Sequence, residues 1–158
     1  MTSPLVTKLA QHWKTQGLKV RSGTPPDRVA QFEATRRVSL PTELREYFLE
    51  LDGMDPHWPN DHDANGFSFW PLPRVRLASE ELTKAGMKPF AGSDQYFAFG
   101  DYLNWSWAYG IHLTSDAQQG GRVLLIGKDP PIEVAKSFGE FVDLYLQDSP
   151  RLYGQVPA

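Results

Sequence analysis

The stretch Val38-Ser39-Leu40-Pro41-Thr42-Glu43-Leu44-Arg45-Glu46-Tyr47-Phe48-Leu49-Glu50-Leu51-Asp52-Gly53 has a marked start, a periodic middle and a marked end. Pro41 suits the first position of a helix, where its fixed φ helps and its missing N–H costs nothing. Glu43 and Glu46 fall near the positive end of the helix dipole. Leu44, Tyr47, Phe48 and Leu51 recur at helical spacing and make one apolar stripe, with Glu43, Glu46 and Glu50 on the opposite, wet face. Gly53 can take a positive φ and close the helix after Asp52. The pattern predicts a short amphipathic helix docked on a core, with a turn forced at its end. It carries no catalytic chemistry.

Towards the N-terminus, Ser3 is placed to cap a first helix with Pro4 behind it. Leu5, Leu9 and Trp13 share one face, and Gly17 ends the run. A second helix is expected from Thr24 as cap, with Pro25 at its first position and Asp27 completing a weak capping box. It turns Val29, Ala30 and Phe32 inward and runs towards Arg36.

Towards the C-terminus, residues 54–66 are turn chemistry throughout and predict an exposed loop. Phe67 to Leu72 alternates briefly and is stopped by Pro71 and Pro73, which suits a short edge strand. Ser79 to Lys84 suits a short helix capped by Ser79 and ended at Gly86. Tyr96-Phe97-Ala98-Phe99 is strand-like, with a turn or bulge at Gly100-Asp101. In 104–113 the large apolar residues are Trp105, Trp107, Tyr109, Ile111 and Leu113, all at odd positions, so a period of two puts them on one face. Gln118 to Gly121 is a connecting loop, and Arg122 to Gly127 a buried strand. Ile132 to Gln147 has the spacing of a last long helix, ended by Ser149-Pro150. Leu152 and Tyr153 are placed to pin down the tail, Arg151 to Ala158. Helices, then strands, then a helix predict an α+β fold in one domain spanning 1–158, with antiparallel pairing of the strands the simplest topology.

Composition narrows the function. The chain has 158 residues, 41% hydrophobic and 22% charged, enough for a core of its own. Aromatics reach 13%, an excess that needs a large aromatic core or an aromatic surface. A formal net charge of -3 argues against sequence-independent nucleic-acid binding, which needs a basic excess to displace counterions. The count of 0 cysteines excludes disulfides, thiolate metal sites and a cysteine nucleophile. No signal-peptide pattern and no run of membrane-spanning length is visible, so a cytoplasmic protein is expected.

His57, Asp61, His62 and Asp63 are possible metal ligands. The two histidines match no metalloprotease spacing, and a solvated loop is the preferred reading. Asp61-x-Asp63-x-Asn65-Gly66 starts like a calcium loop, but its bidentate glutamate would fall at Leu72, so the register fails. No nucleophile elbow, phosphate-binding loop or dinucleotide fingerprint is present. The odd face of 105–113 could stack sugars or bases, yet the helices need a sheet to pack on, so most of it is assigned to the core. Trp58 in the polar loop and Trp70 at the edge are the aromatics placed to anchor an interface.

Val29-x-x-Phe32-Glu33, then Val38-x-Leu40-Pro41-x-x-Leu44-Arg45-x-x-Phe48, then Leu51-Asp52-Gly53 come in an order that resembles the SUKH superfamily, which includes the yeast Smi/Knr cell-wall-assembly regulators and many bacterial proteins. Phe69-Trp70-Pro71-Leu72, Tyr96 to Asp101, and Val134-Ala135-x-Ser137-Phe138-x-Glu140-Phe141 follow in the same order, so the resemblance covers 29–147. Leu44 stands where an aromatic is common, and Asp52-Gly53 replaces the frequent Asn-Gly. The resemblance implies an α+β fold with N-terminal helices and a C-terminal helix packed on a mixed, mainly antiparallel sheet, without a cofactor, metal or catalytic residues.

It also implies a protein partner. Bacterial relatives often act as immunity proteins that neutralise a toxin domain such as a nuclease, and others act as general interaction modules. The expected mechanism is occlusion of a basic active site by an acidic, aromatic-rimmed surface, with Asp52, Asp55, Trp58, Asp61, Asp63 and Asp101 as the candidate contacts. No direct nucleic-acid or membrane contact is expected. A regulatory or scaffold module is the first alternative, and a carbohydrate-binding module using Trp58, Trp70 and Trp105 is the second.

Overall fold

The computed structural model describes residues 3–154. The end of the expected tail, residues 155–158, lies outside them. Three helices open the chain: α1 (Pro4–Thr15), α2 (Pro26–Arg36) and α3 (Thr42–Glu50). Ser3 caps α1 through a bond from the Val6 N–H to its hydroxyl. Both proline-led starts fall one residue later than expected. Pro25 and Pro41 are themselves the cap residues, and Thr24 is spent elsewhere, its N–H bonded to the Phe48 carbonyl. Ala30 is exposed, so α2 turns in Val29 and, in part, Phe32.

The apolar stripe of α3 is buried as expected, with Leu44, Tyr47, Phe48 and Leu51 all in the core. The corner before it is tied by Glu33, whose carboxylate accepts the Leu40 N–H at 2.8 Å and the guanidinium fork of Arg45. A bidentate charge-assisted pair fixes geometry as well as energy. It explains why Glu33, Leu40 and Arg45 stand together in the opening motifs.

The sheet is built from β1 (Phe67–Phe69), β2 (Arg76–Leu77), β3 (Tyr96–Tyr102), β4 (Trp107–His112), β5 (Val123–Ile126) and β6 (Ile132–Ala135). Its order is β1-β3-β4-β5-β6, with β2 also paired to β3, and every one of these pairs is antiparallel. A short helix, α4 (Ala78–Lys84), follows β2, and α5 (Phe138–Leu146) closes the fold. The chain is therefore α+β. Ser79 does not cap α4; Leu77 stands at that position without a side-chain bond.

The helix expected from Ile132 is a strand and a helix. Ile132–Ala135 pairs with β5, and Ser137 then caps α5 by accepting the Glu140 N–H. Helical spacing in Val134, Phe138, Phe141 and Val142 hid the break, because a short apolar run fits both periods. Of the turn or bulge expected at Gly100-Asp101, the structure has the bulge. β3 continues through it, and its register against β4 slips between Ala98 and Gly100.

The two faces of the sheet are unequal. α1, α3 and α5 lie over Phe97, Phe99, Tyr109, Ile111 and Leu125. The opposite face is covered by a thinner layer of Trp70, Ala78, Tyr96, Ala98, Ala108 and Ile126. That second layer corrects two expectations. Trp70 is only 1% exposed, and Trp105 leaves the odd-numbered face to pack on the second layer from a turn before β4. At the C-terminus, a 3₁₀ turn at Pro150–Tyr153 buries Leu152, whose carbonyl accepts the Tyr109 hydroxyl.

Candidate functional site

Six side chains were singled out by sequence, and the fold separates them into two groups. Asp52, Asp63 and Asp101 are buried, the first two as acceptors of backbone N–H groups and Asp101 at the base of a cleft. Asp52 follows α3 with φ +55°, accepts the Leu72 N–H at 2.7 Å and lies 3.4 Å from Arg21. Burial raises its pKa, while the Leu72 N–H and Arg21 oppose the rise. Asp63 accepts the N–H groups of Asn65 and Phe67 at 2.9 Å each, and its other oxygen accepts the Tyr145 hydroxyl. Tyr145 in turn accepts the Trp13 indole N–H at 3.0 Å. The loop 54–66 is thus anchored through both aspartates, and the expectation that it is exposed throughout fails at Met54 and Asp63, which are buried.

Between the anchors the chain projects. Asp55 accepts the His57 N–H at 3.0 Å and faces the His57 ring and Lys19. Those contacts, the His57 ring first, hold its carboxyl below the usual carboxylate range. Asp61 pairs with the His62 ring at 2.9 Å. Trp58 is 79% exposed, the most exposed large apolar side chain described. Among the described residues, no three His, Asp or Glu side chains gather in a way that could hold a metal ion.

Asp55, Asp61 and Asp101 converge on one cleft of about 470 Å³. The loop forms one wall. β1 and β3 form the floor, where Ser68 pairs with Asp101. Leu103, Asn104 and Trp105 form the opposite wall, with φ of +47°, +51° and +64° in succession. Left-handed backbone costs about 1 kcal/mol or more for a residue with a Cβ, so neighbouring bonds must hold this turn. The Leu103 N–H bonds to the Gly66 carbonyl at 2.9 Å, and the Ser106 N–H returns to the Tyr102 carbonyl. Gly66 itself sits so close under Leu103 that a Cβ there would lie 2.6 Å from the leucine side chain. The two walls are therefore fitted to one another.

Asp101 lies at the base of the cleft, almost fully buried. Burial pushes its pKa up to about 6, against the opposing pulls of Arg74 and of the Trp70 indole. The Arg74 guanidinium stacks 3.9 Å above the Trp70 ring and approaches Asp101 at 3.9 Å. The Trp70 N–H faces Asp101 without reaching hydrogen-bond geometry. Three carboxyl groups against one guanidinium leave the cleft acidic. Arg74 and the left-handed turn were not singled out by sequence. Asn104, a residue that tolerates the left-handed region, is the one local signal of that turn.

The profile of the SMI1 / KNR4 family (SUKH-1) matches residues 23–144. The chain belongs to that family. All the motifs that suggested the resemblance in this SUKH-1 chain lie inside the matched span, which stops short of the last turn of α5. Membership supports a protein-interaction domain, in a family that is generally non-catalytic. A search of curated proteins returns no significant match. Among the described residues, no helix is long and apolar enough to cross a membrane.

Proposed function

We propose that this SUKH-1 chain is a non-enzymatic binding protein that neutralises a cognate toxin, such as a nuclease, by covering its basic active site. The observation that carries this reading is the exposed Trp58 on a loop whose acidic neighbours border a cleft. An exposed indole supplies a large, stiff contact surface at little entropic cost. Asp55, Asp61 and Asp101 supply the complementary charge that speeds encounter with a basic partner and sets register. Asp52 and Asp63 act behind them by holding the loop. A carbohydrate platform is less well supported, because Trp70 is buried beneath Arg74 and cannot offer its face to a sugar.

The test is co-expression with a toxin encoded beside the gene, together with capture of partners from the native cell. Protection from the toxin and recovery of a stable complex support immunity. Recovery of a partner that is no toxin supports a regulatory module of the same family. Failure to protect, with nothing captured, overturns the reading.

A further inference from the structure

A second groove, on the other side of the 72–76 segment, has the opposite charge. Arg28, Gln31, Phe32, Thr35 and Arg36 recur at helical spacing along one face of α2. They face Leu72, Val75 and Arg76 across a groove of about 240 Å³. Three guanidinium groups in one groove stand out in a chain whose net charge is -3. Arg36 is partly occupied by Glu80, at 3.4 Å, and lies over the Phe97 ring. Arg28 and Arg76 have no ion-pair partner among the described residues and are exposed.

One further polar side chain borders the groove. Thr24 lines the same groove and is only 8% exposed. Its N–H is used by the Phe48 carbonyl, whereas its hydroxyl has no protein partner among the described residues. The hydroxyl keeps contact with solvent at the groove, so it is free to donate to a ligand oxygen.

We infer that the α2 groove binds a terminal phosphate group. Guanidinium forks match phosphate oxygens in pairs, and hydroxyl and amide donors from Thr24, Thr35 and Gln31 serve the remaining ones. The half-buried Phe32 offers an apolar floor beside the charge. The groove is short and the chain is acidic overall, which disfavours a long polynucleotide. The shared chemistry is one terminal phosphate, carried by a nucleotide or by a phosphorylated side chain.

Isothermal titration of the full chain with ATP, with a phosphoserine peptide and with the same peptide unphosphorylated separates the sources. Binding of ATP alone assigns a nucleotide site, and binding of the phosphopeptide alone assigns a protein partner; either supports the inference. Arg28→Ala with Arg76→Ala should weaken the bound probe about tenfold or more. Thermal unfolding of the double variant should match the parent, since both side chains are exposed. Equal binding of the unphosphorylated peptide, unchanged affinity in the double variant, or no binding of either phosphate probe at millimolar concentration would overturn it. Tighter binding of single-stranded RNA than of ATP would do the same. These outcomes are independent of toxin neutralisation, because Trp58 and the acidic cleft lie outside this groove.

Discussion

Asp63 and Trp58 share one polar loop and have opposite fates. Asp63 is 3% exposed and satisfies two backbone N–H groups and a tyrosine; Trp58 is 79% exposed and anchors nothing described in the fold. The difference teaches that a loop rich in aspartate can be half scaffold and half presentation surface. Composition alone does not separate the halves, because a carboxylate serves equally well as an internal acceptor and as a surface charge. What separates them is which carboxylates meet backbone donors.

Breaking the scaffold half should have the largest effect. Asp63→Ala orphans the Asn65 and Phe67 N–H groups and the Tyr145 hydroxyl at once. Buried donors left without acceptors cost about 1–3 kcal/mol each, and we expect a loss of about 3–5 kcal/mol in urea unfolding. Asp63→Asn keeps one acceptor oxygen and should lose less. A midpoint unchanged in Asp63→Ala would show that the loop is held by something else.

The other anchor is tested through Gly53, with φ +75°. A Cβ there would fall 2.6 Å from the Trp70 carbonyl carbon, an atom of backbone that cannot swing aside. Gly53→Ala should cost about 2 kcal/mol or more from backbone strain and crowding together. Gly17 has nearly the same φ, +78°, yet a Cβ added there would meet nothing within 4 Å. Gly17→Ala should therefore cost only the conformational term, about 1 kcal/mol. Equal losses at the two sites would remove the crowding argument.

A smaller effect concerns the cleft floor. Asp101 has a folded-state pKa of about 6, raised by burial above an ordinary carboxyl value of 3.8. The folded state thus holds the proton more tightly than the unfolded state. Its contribution to stability is favourable at low pH and is lost as pH rises from about 4 to about 6. Asp101→Asn should flatten that part of the profile, so the difference in melting temperature between variant and parent should grow in the variant's favour towards pH 7. A difference that stays constant across this range would contradict the shifted pKa.

Much of this was legible because one signal was long and clean. Leu44, Tyr47, Phe48 and Leu51 have a single reading, and the sheet below them follows from the alternation in β4. The misses share a cause. Ile132–Ala135 is a strand whose four residues fit a helix as well, and only pairing with β5 decides it. Trp70 and Trp105 looked surface-placed or core-placed by position, yet a second layer on the back of the sheet claims both. The acidic cleft needed three distant segments to meet, and a positive φ at Leu103 has no sequence mark. Asp52 and Asp63 were picked for charge, although their acceptor geometry is what the fold uses.

The presentation half gives the smallest stability change and the sharpest functional one. Trp58 is exposed and makes no described hydrogen bond, so Trp58→Ala should leave unfolding within about 0.5 kcal/mol of the parent. If the indole is an interface anchor, the same change should weaken a partner captured from the cell by about 30-fold, in the range of a central aromatic contact. Asp55→Asn and Asp61→Asn act at the rim and should chiefly slow association, more so at low salt. The decisive pattern is a large affinity loss at Trp58 with no stability loss, set against a large stability loss at Asp63. An unchanged dissociation constant for Trp58→Ala would move the interface away from this loop, since nothing else on its tip offers a comparable apolar surface.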